Sequence, residues 1–310
     1  MLVVRSFVDV PLPARGGVIT IGNFDGVHRG HQALIQTVRD RAERLGAPSG
    51  VLLFDPHPRA FFQPDKPLFT LTPMAYRLQL LAGLGLDFAA VLPFEAELAN
   101  LSAAQFVTKI LVDGFAARYV VVGHDFKFGK GRTGDDAMLE AEGRRQGFGV
   151  GVQAAERDGV TVVSSSLIRE ALRRGDVDSA ARQLGRPWSM EGNVISGAGR
   201  GAGLGYPTAN IGIAPGTELA HGIYAARVWV AGAAHAAVAY HGKRPTFDNG
   251  IALLEAFLID FDADLYGKFI RVELVAFIRP DQKFSSADAL KAQMERDVIE
   301  ACAKLDLSRV

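Results

Sequence analysis

Cysteine is almost absent. Cys302 stands alone among 310 residues, so no intrachain disulfide can form, and the composition suits a reducing cytosol. An excess of either charge is lacking too: 34 Lys and Arg are matched by 34 Asp and Glu. With no global field to recruit nucleic acid or anionic lipid, neither is expected as a partner. There is also no apolar run of bilayer length. The most apolar late stretch, Val228 to Tyr240, contains Gly232 and His235 and reads as two strands around a turn. At the N-terminus, Met1 to Asp9 has charges on both sides of its apolar residues and no small-residue cleavage site. No signal peptide is read there, and a cytoplasmic location is expected.

The length suffices for two domains, each with its own core. From Gly17 to Gln153, strand-like apolar runs (Val18 to Ile21, Val51 to Phe54, Ala89 to Leu92, Tyr119 to Val122, Gly149 to Gln153) alternate with helical periodicities near 30–45, 73–83, 102–113 and 135–146. Such alternation predicts a parallel sheet with helices on both faces. Further helices are expected over Leu167 to Arg174 and Asp176 to Leu184, with the domain boundary at Gly185 to Trp188. Beyond it, period-two runs at Ile223 to Val230, Ala236 to Tyr240, Leu253 to Phe261 and Phe269 to Phe277 predict a small antiparallel barrel. A helix from Ala287 to Leu305, capped by Ser285 or Ser286, closes the chain.

The unusual residues fall after the expected strands, where ligands bind in open parallel sheets. The first run is Gly22-Asn23-Phe24-Asp25-Gly26-Val27-His28-Arg29-Gly30-His31. It places two imidazoles at a helix mouth whose unpaired N–H groups suit an anion, and Gly30 leaves room for a phosphate to approach the backbone. That set fits charge stabilisation during phosphoryl transfer. Pro56-His57-Pro58 follows the second strand, either as a rigid turn or as a functional loop. After the fourth strand, Asp125-Phe126-Lys127-Phe128 is either a flexible basic loop or a surface that stacks a flat ring and contacts phosphate. Ser164, Ser165 and Ser166 precede Arg169 at a helix start, where one hydroxyl caps and the others could grip outer phosphates with the guanidinium.

In the second half, Gly201, Gly203 and Gly205 alternate before Tyr206-Pro207-Thr208-Ala209-Asn210. The glycines allow a loop to wrap phosphates, and Thr208 and Asn210 offer oxygen ligands for magnesium with nucleotide. Glu255 sits among apolar residues on an expected strand, either on the solvated face or as a base near an alcohol.

The first of these runs resembles the opening motif of the adenylyltransferase module in bacterial bifunctional riboflavin kinase/FAD synthetase, and the resemblance extends over nearly the whole chain. It implies a Rossmann-like nucleotidyltransferase domain at 1–184 and a β-barrel riboflavin kinase domain at 185–310. The kinase would phosphorylate riboflavin to FMN with ATP and Mg2+; the transferase would join FMN to AMP, giving FAD and pyrophosphate. It implies catalytic roles for His28, His31 and Glu255, and flavin contacts at Pro56, His57, Pro58, Asp125, Phe126 and Phe128. ATP in the transferase would meet Gly22, Asn23, Phe24, Asp25, Gly30, Ser164, Ser165, Ser166 and Arg169; in the kinase it would meet Gly201, Gly203, Gly205, Pro207, Thr208 and Asn210, with metal at the last two. The chain departs from the family at Ala202, where an arginine is usual, and at Tyr240 and His241. Those departures leave one alternative, an adenylyltransferase with a degenerate, flavin-binding kinase-like module; a second, a non-catalytic flavin- and nucleotide-binding regulator, has the complete His28-Arg29-Gly30-His31 run against it. The oligomeric state, a homo-oligomer included, is left open.

Overall fold

The computed structural model describes residues 1–196, 206–243 and 252–306. The chain packs as two compact units, Met1–Ser164 and Ser165–Val310.

The strands of the first unit are β1 (Leu2–Val4), β2 (Val18–Ile21), β3 (Ser49–Asp55), β4 (Phe88–Pro93), β5 (Tyr119–Gly123) and β6 (Gly149–Gln153). They form one sheet in the order β1-β4-β3-β2-β5-β6, and every neighbouring pair is parallel. Parallel strands need crossovers, here α1 (Arg29–Leu45), α2 (Pro58–Phe62), α3 (Met74–Gly83), α4 (Ala96–Ala99), α5 (Ala103–Phe106) and α6 (Asp136–Gln146). Strand alternation sorts the core onto two faces. Val18, Val51, Leu53 and Val91 pack with Ile35 and Val38 of α1 and Leu81 of α3. Ile19, Leu52, Leu92 and Val120 pack with Phe106, Ile110 and Leu139 on the other face. The strand order reverses at β2, with β3 on one side and β5 on the other, so a crevice is expected at the carboxyl ends of these strands.

Some local structure escaped the sequence patterns. The edge strand β1 is only Leu2–Val4, too short to show a period. The expected helix at 102–113 begins as α5, with both capping-box bonds between Ser102 and Gln105, then continues as π-helical turns over Val107–Gly114. A small hairpin of β7 (Arg157–Asp158) and β8 (Thr161–Val162) follows the sheet.

The second unit opens with α7 (Ser165–Arg173) and α8 (Val177–Leu184). Its barrel strands are β9 (Trp188–Ile195), β10 (Ala209–Gly212), β11 (Gly222–Val230), β12 (Ala233–Lys243), β13 (Ala252–Leu258) and β14 (Phe269–Pro280), closed in the order β10-β13-β12-β11-β14-β9. β9 lies where the sequence suggested only a boundary. Ser189, Glu191 and Asn193 alternate with Trp188, Met190 and Val194, but Gly192 leaves the apolar parity interrupted, and Glu191 is matched across the sheet by Arg271 at 2.8 Å. The β11–β12 turn has positive φ at Ala231 and Gly232, the backbone that a tight hairpin with right-handed twist needs. Both tryptophans of the chain, buried Trp188 and half-buried Trp229, lie in this barrel. No helix among the described residues is long and apolar enough to cross a membrane.

Helix α9 (Ala287–Lys304), capped by Ser286, lays Ala301 and the following Leu305 against Ala225 and Ala276 of the barrel. It is locked there by a two-pronged ion pair, Arg279 Nε to Asp297 Oδ1 at 2.8 Å and Nη2 to Oδ2 at 2.7 Å. Asp297 is buried, so Asp297→Ala leaves the Arg279 charge without its partner. This variant is expected to destabilise the barrel by about 3 kcal/mol, read as a lower urea midpoint.

His241, 1 % exposed, sits at one end of β12 with Nδ1 3.2 Å from the Ala220 carbonyl. Burial pushes its pKa down to about 4, helped by neighbouring His221 and opposed by the Ala220 carbonyl. The folded ring therefore stays neutral while the unfolded one takes up a proton near pH 6.5. Stability is expected to fall between about pH 6.5 and about pH 4, by about 3 kcal/mol in all. In His241→Gln that part of the pH dependence should disappear from urea titrations.

Candidate functional site

At the carboxyl end of β2 the chain turns through Gly22 to His28 into α1. Two residues of the turn, Phe24 and Val27, have φ of 50° and 44°, a conformation costing about 1–3 kcal/mol each for side chains of this kind. Both are 1 % exposed and belong to the core under α1. Asp25, 3 % exposed, holds the turn from behind: its carboxylate accepts the N–H groups of Leu71 and Thr72 at 3.0 Å each and pairs with Arg77 at 3.1 Å. The Asp25 carboxylate thus faces the protein, and Asn23 keeps a buried Oδ1 with no hydrogen-bond partner among the described residues.

His28 caps α1. Its Nδ1 accepts the His31 backbone N–H at 3.3 Å, which puts the proton of a neutral ring on Nε2. The rings of His28 and His31 stack with centroids 3.6 Å apart and planes 15° off parallel, and the Phe24 ring packs against His31, tilted by 39°, at 4.7 Å. Burial holds His31 well below the usual histidine range, with His28 and Arg77 adding to the effect. Its Nδ1 is buried without a partner among the described residues. Gly30 leaves no space to spare, since a Cβ there would come within 3.2 Å of the His28 ring. Arg29 turns away to Glu156 at 3.3 Å and Asp158 at 3.5 Å. The result is a fixed, stacked imidazole pair at the start of a 17-residue helix, beside the point where the strand order reverses.

Two other predicted segments share this carboxyl edge. Pro56-His57-Pro58 follows β3, and His57 caps α2 by accepting the Arg59 N–H at 3.0 Å. Asp125, Phe126 and Phe128 follow β5; Phe126 and Phe128 stack at 5.3 Å and 15°. Lys127 pairs with Asp135 at 3.3 Å. The Met138 backbone N–H, and then Lys127, hold Asp135 below the usual carboxylate range.

The loop aromatics belong to a larger set that the sequence reading missed. Phe62 and Phe61 touch Phe94, Phe94 touches Phe54, Phe54 touches Phe106, and Phe106 touches Phe128, with successive centroids 5.4–6.5 Å apart. Phe62 is 63 % exposed. This chain of rings along the sheet edge offers apolar faces to a planar ligand.

Ser165 and Ser166 begin α7 and Arg169 lies in its first turns, all within the second unit; Ser164 ends the first. In the barrel, register brings predicted residues side by side: Asn210 of β10 pairs with Glu255 of β13, and Glu255 with Tyr240 of β12. Asn210 and Glu255 are 3 % and 7 % exposed. The Asn210 amide donates to the Thr208 carbonyl at 3.2 Å, while its Oδ1 is buried with no partner among the described residues. Pro207 and Thr208 lead directly into β10. Gly201, Ala202, Gly203 and Gly205 lie outside the described residues, as do Arg200 and Arg244 to Phe247.

Comparison with known proteins divides the chain in a similar way. A family model described as FAD synthetase matches residues 11–167, and one described as riboflavin kinase matches residues 184–305. A bifunctional riboflavin kinase/FMN adenylyltransferase from Pseudomonas fluorescens is 42% identical over 305 residues, covering 98% of this chain and 97% of that protein. One of the same name from Escherichia coli (strain K12) is 38% identical over 290 residues, covering 93% of each. A crystal structure described as a macrolide-efflux protein from Streptococcus pneumoniae shares 30% identity and superposes with a TM-score of 0.86 over 96% of both chains. With both models matched in order and these relatives aligned almost end to end, the chain belongs to the bifunctional riboflavin kinase/FMN adenylyltransferase family.

Proposed function

We propose that this chain makes FMN from riboflavin and FAD from FMN, using ATP in both steps. What carries the reading is that each compact unit gathers its own set: the stacked His28–His31 pair in one, the neighbouring Asn210 and Glu255 in the other. We assign adenylyl transfer to residues 1–184 and riboflavin phosphorylation to residues 185–310, both in the cytoplasm.

In adenylyl transfer an oxygen of the FMN phosphate attacks the α-phosphorus of ATP and pyrophosphate leaves. The nucleophile is already ionised, so positioning and charge stabilisation are required rather than a strong base. His28 Nε2–H and the His31 ring, fixed by their stacking, donate hydrogen bonds to phosphate oxygens, together with the N–H groups at the start of α1. Asn23 and the Gly22 and Gly30 backbone border the nucleotide; Phe24 and Asp25 act by shaping the turn. The phenylalanine chain from Phe62 to Phe128 supports the flavin ring, and His57 and Asp125 lie at its border. Ser164, Ser165, Ser166 and Arg169 enter the reading through their motif alone.

In the kinase, Glu255 is the base that takes the proton of riboflavin's terminal hydroxyl. The unpartnered Asn210 Oδ1 is a hard oxygen suited to Mg2+, with Thr208 beside it. Bound with ATP, the ion would neutralise phosphate charge. The single-activity alternative draws no support from His241. Alternation along β12 turns it to the face opposite Tyr240 and Glu255, where it packs near His221.

The test is direct. Purified protein is incubated with ATP and Mg2+ plus either riboflavin or FMN, and the flavins are separated by chromatography. FAD from both incubations is expected; FAD from FMN alone would reduce the chain to an adenylyltransferase, and none from either would leave a binding protein.

A further inference from the structure

Among the described residues Arg77 is the one buried arginine or lysine, 4 % exposed, and nothing in its surrounding sequence marks it. It reaches from α3 to the back of the turn before α1. Nη1 donates to the Asn23 carbonyl at 2.8 Å; Nη2 donates to the Thr72 carbonyl at 2.8 Å and to Asp25 Oδ1 at 3.1 Å. The backbone it grips passes through the left-handed residues Phe24 and Val27 before reaching His28. A conformation of that kind persists only where its surroundings over-determine it. Here they do so through a planar fork with acceptors fixed on three sides, a geometry that a lysine ammonium does not reproduce.

We propose that Arg77 is a positioning residue for adenylyl transfer, holding the Asn23–Val27 turn so that the His28–His31 pair meets the phosphates, and supplying a buried positive charge behind them. The inference rests on the adenylyltransferase reading of the first unit. Arg77 touches no substrate and acts through the turn. The titratable and charged groups around His31 are His28, stacked on it; Arg77 with its counter-ion Asp25; and Arg29, which is paired with Glu156 and Asp158. Arg77 is among the groups that keep the His31 ring neutral.

The experiment compares Arg77→Lys and Arg77→Met with the parent chain at full length. It measures FAD formation from FMN and ATP across pH, and riboflavin phosphorylation in the same preparations. Arg77→Lys keeps the charge and loses the fork. Its kcat for FAD is expected to fall about 10- to 100-fold, with little change in KM for FMN and with the pH profile in place. Arg77→Met should show at least that loss, and the profile limb belonging to His31 should move to higher pH, because the removed cation opposed protonation and the remaining Asp25 favours it. Riboflavin phosphorylation should persist in both. FAD turnover within about twofold of the parent in Arg77→Met would overturn the proposal, as would loss of both activities together in both variants, which marks a structural role only. A parent chain that forms no FAD would overturn the adenylyltransferase reading and this inference with it.

Discussion

His28→Ala is expected to lower FAD formation from FMN and ATP by about 10²–10³-fold, while the same preparation still phosphorylates riboflavin. The ring has a cap to make and a proposed role beside it: Nδ1 accepts the His31 N–H at the helix start, and in the proposed reaction Nε2–H donates to the phosphates. The variant removes both, together with one side of the stacked pair. His28→Asn separates them, since an asparagine restores the cap but not the imidazole. Unfolding midpoints of the Asn variant should return to the parent value while FAD turnover stays low. An Asn variant with restored turnover would show that His28 contributes the cap alone. Because the loss is in charge stabilised at the transition state, it should appear in kcat far more than in KM for ATP.

Glu255→Gln should give the converse result. Riboflavin phosphorylation is expected to drop by about 10²–10⁴-fold with FAD formation from supplied FMN intact. The glutamine keeps the volume and the strand register beside Asn210 and Tyr240 and removes only the proton acceptor. Retained phosphorylation would point to another base in the barrel. Supplied with riboflavin instead of FMN, this variant should make neither product, whereas His28→Ala should accumulate FMN. The two variants mixed should restore FAD synthesis from riboflavin, because FMN released by one chain is substrate for the other.

The architecture was largely legible because its signals are local. Leu34, Val38 and Ala42 at helical spacing after Val18 to Ile21 announce α1 behind β2, and the polar insert between them marks the turn. The Ser102 and Gln105 pair announces its helix start. What stayed hidden depends on distance along the chain. Arg77 meets Asp25 from 52 residues away, and no pattern near either residue names the other. The phenylalanine chain draws on five separate segments, each of which alone reads as ordinary core. Phe24 and Val27 are apolar residues in a conformation that sequence rules reserve for glycine or asparagine, so the strain around them left no trace in composition. β9 was missed because Gly192 interrupts its apolar parity directly after the boundary residues, and the strand that pairs with it, carrying Arg271 to meet Glu191, lies 80 residues on.

The distribution of indole side chains gives the molecule a built-in reporter. Trp188 and Trp229 both belong to the barrel, and Met1–Ser164 contains no tryptophan. Indole emission during denaturation therefore follows the second unit alone, whereas far-ultraviolet circular dichroism sums the helices and strands of both. Superimposable curves from the two signals would describe one cooperative transition. Separated curves would give each unit its own stability without cutting the chain.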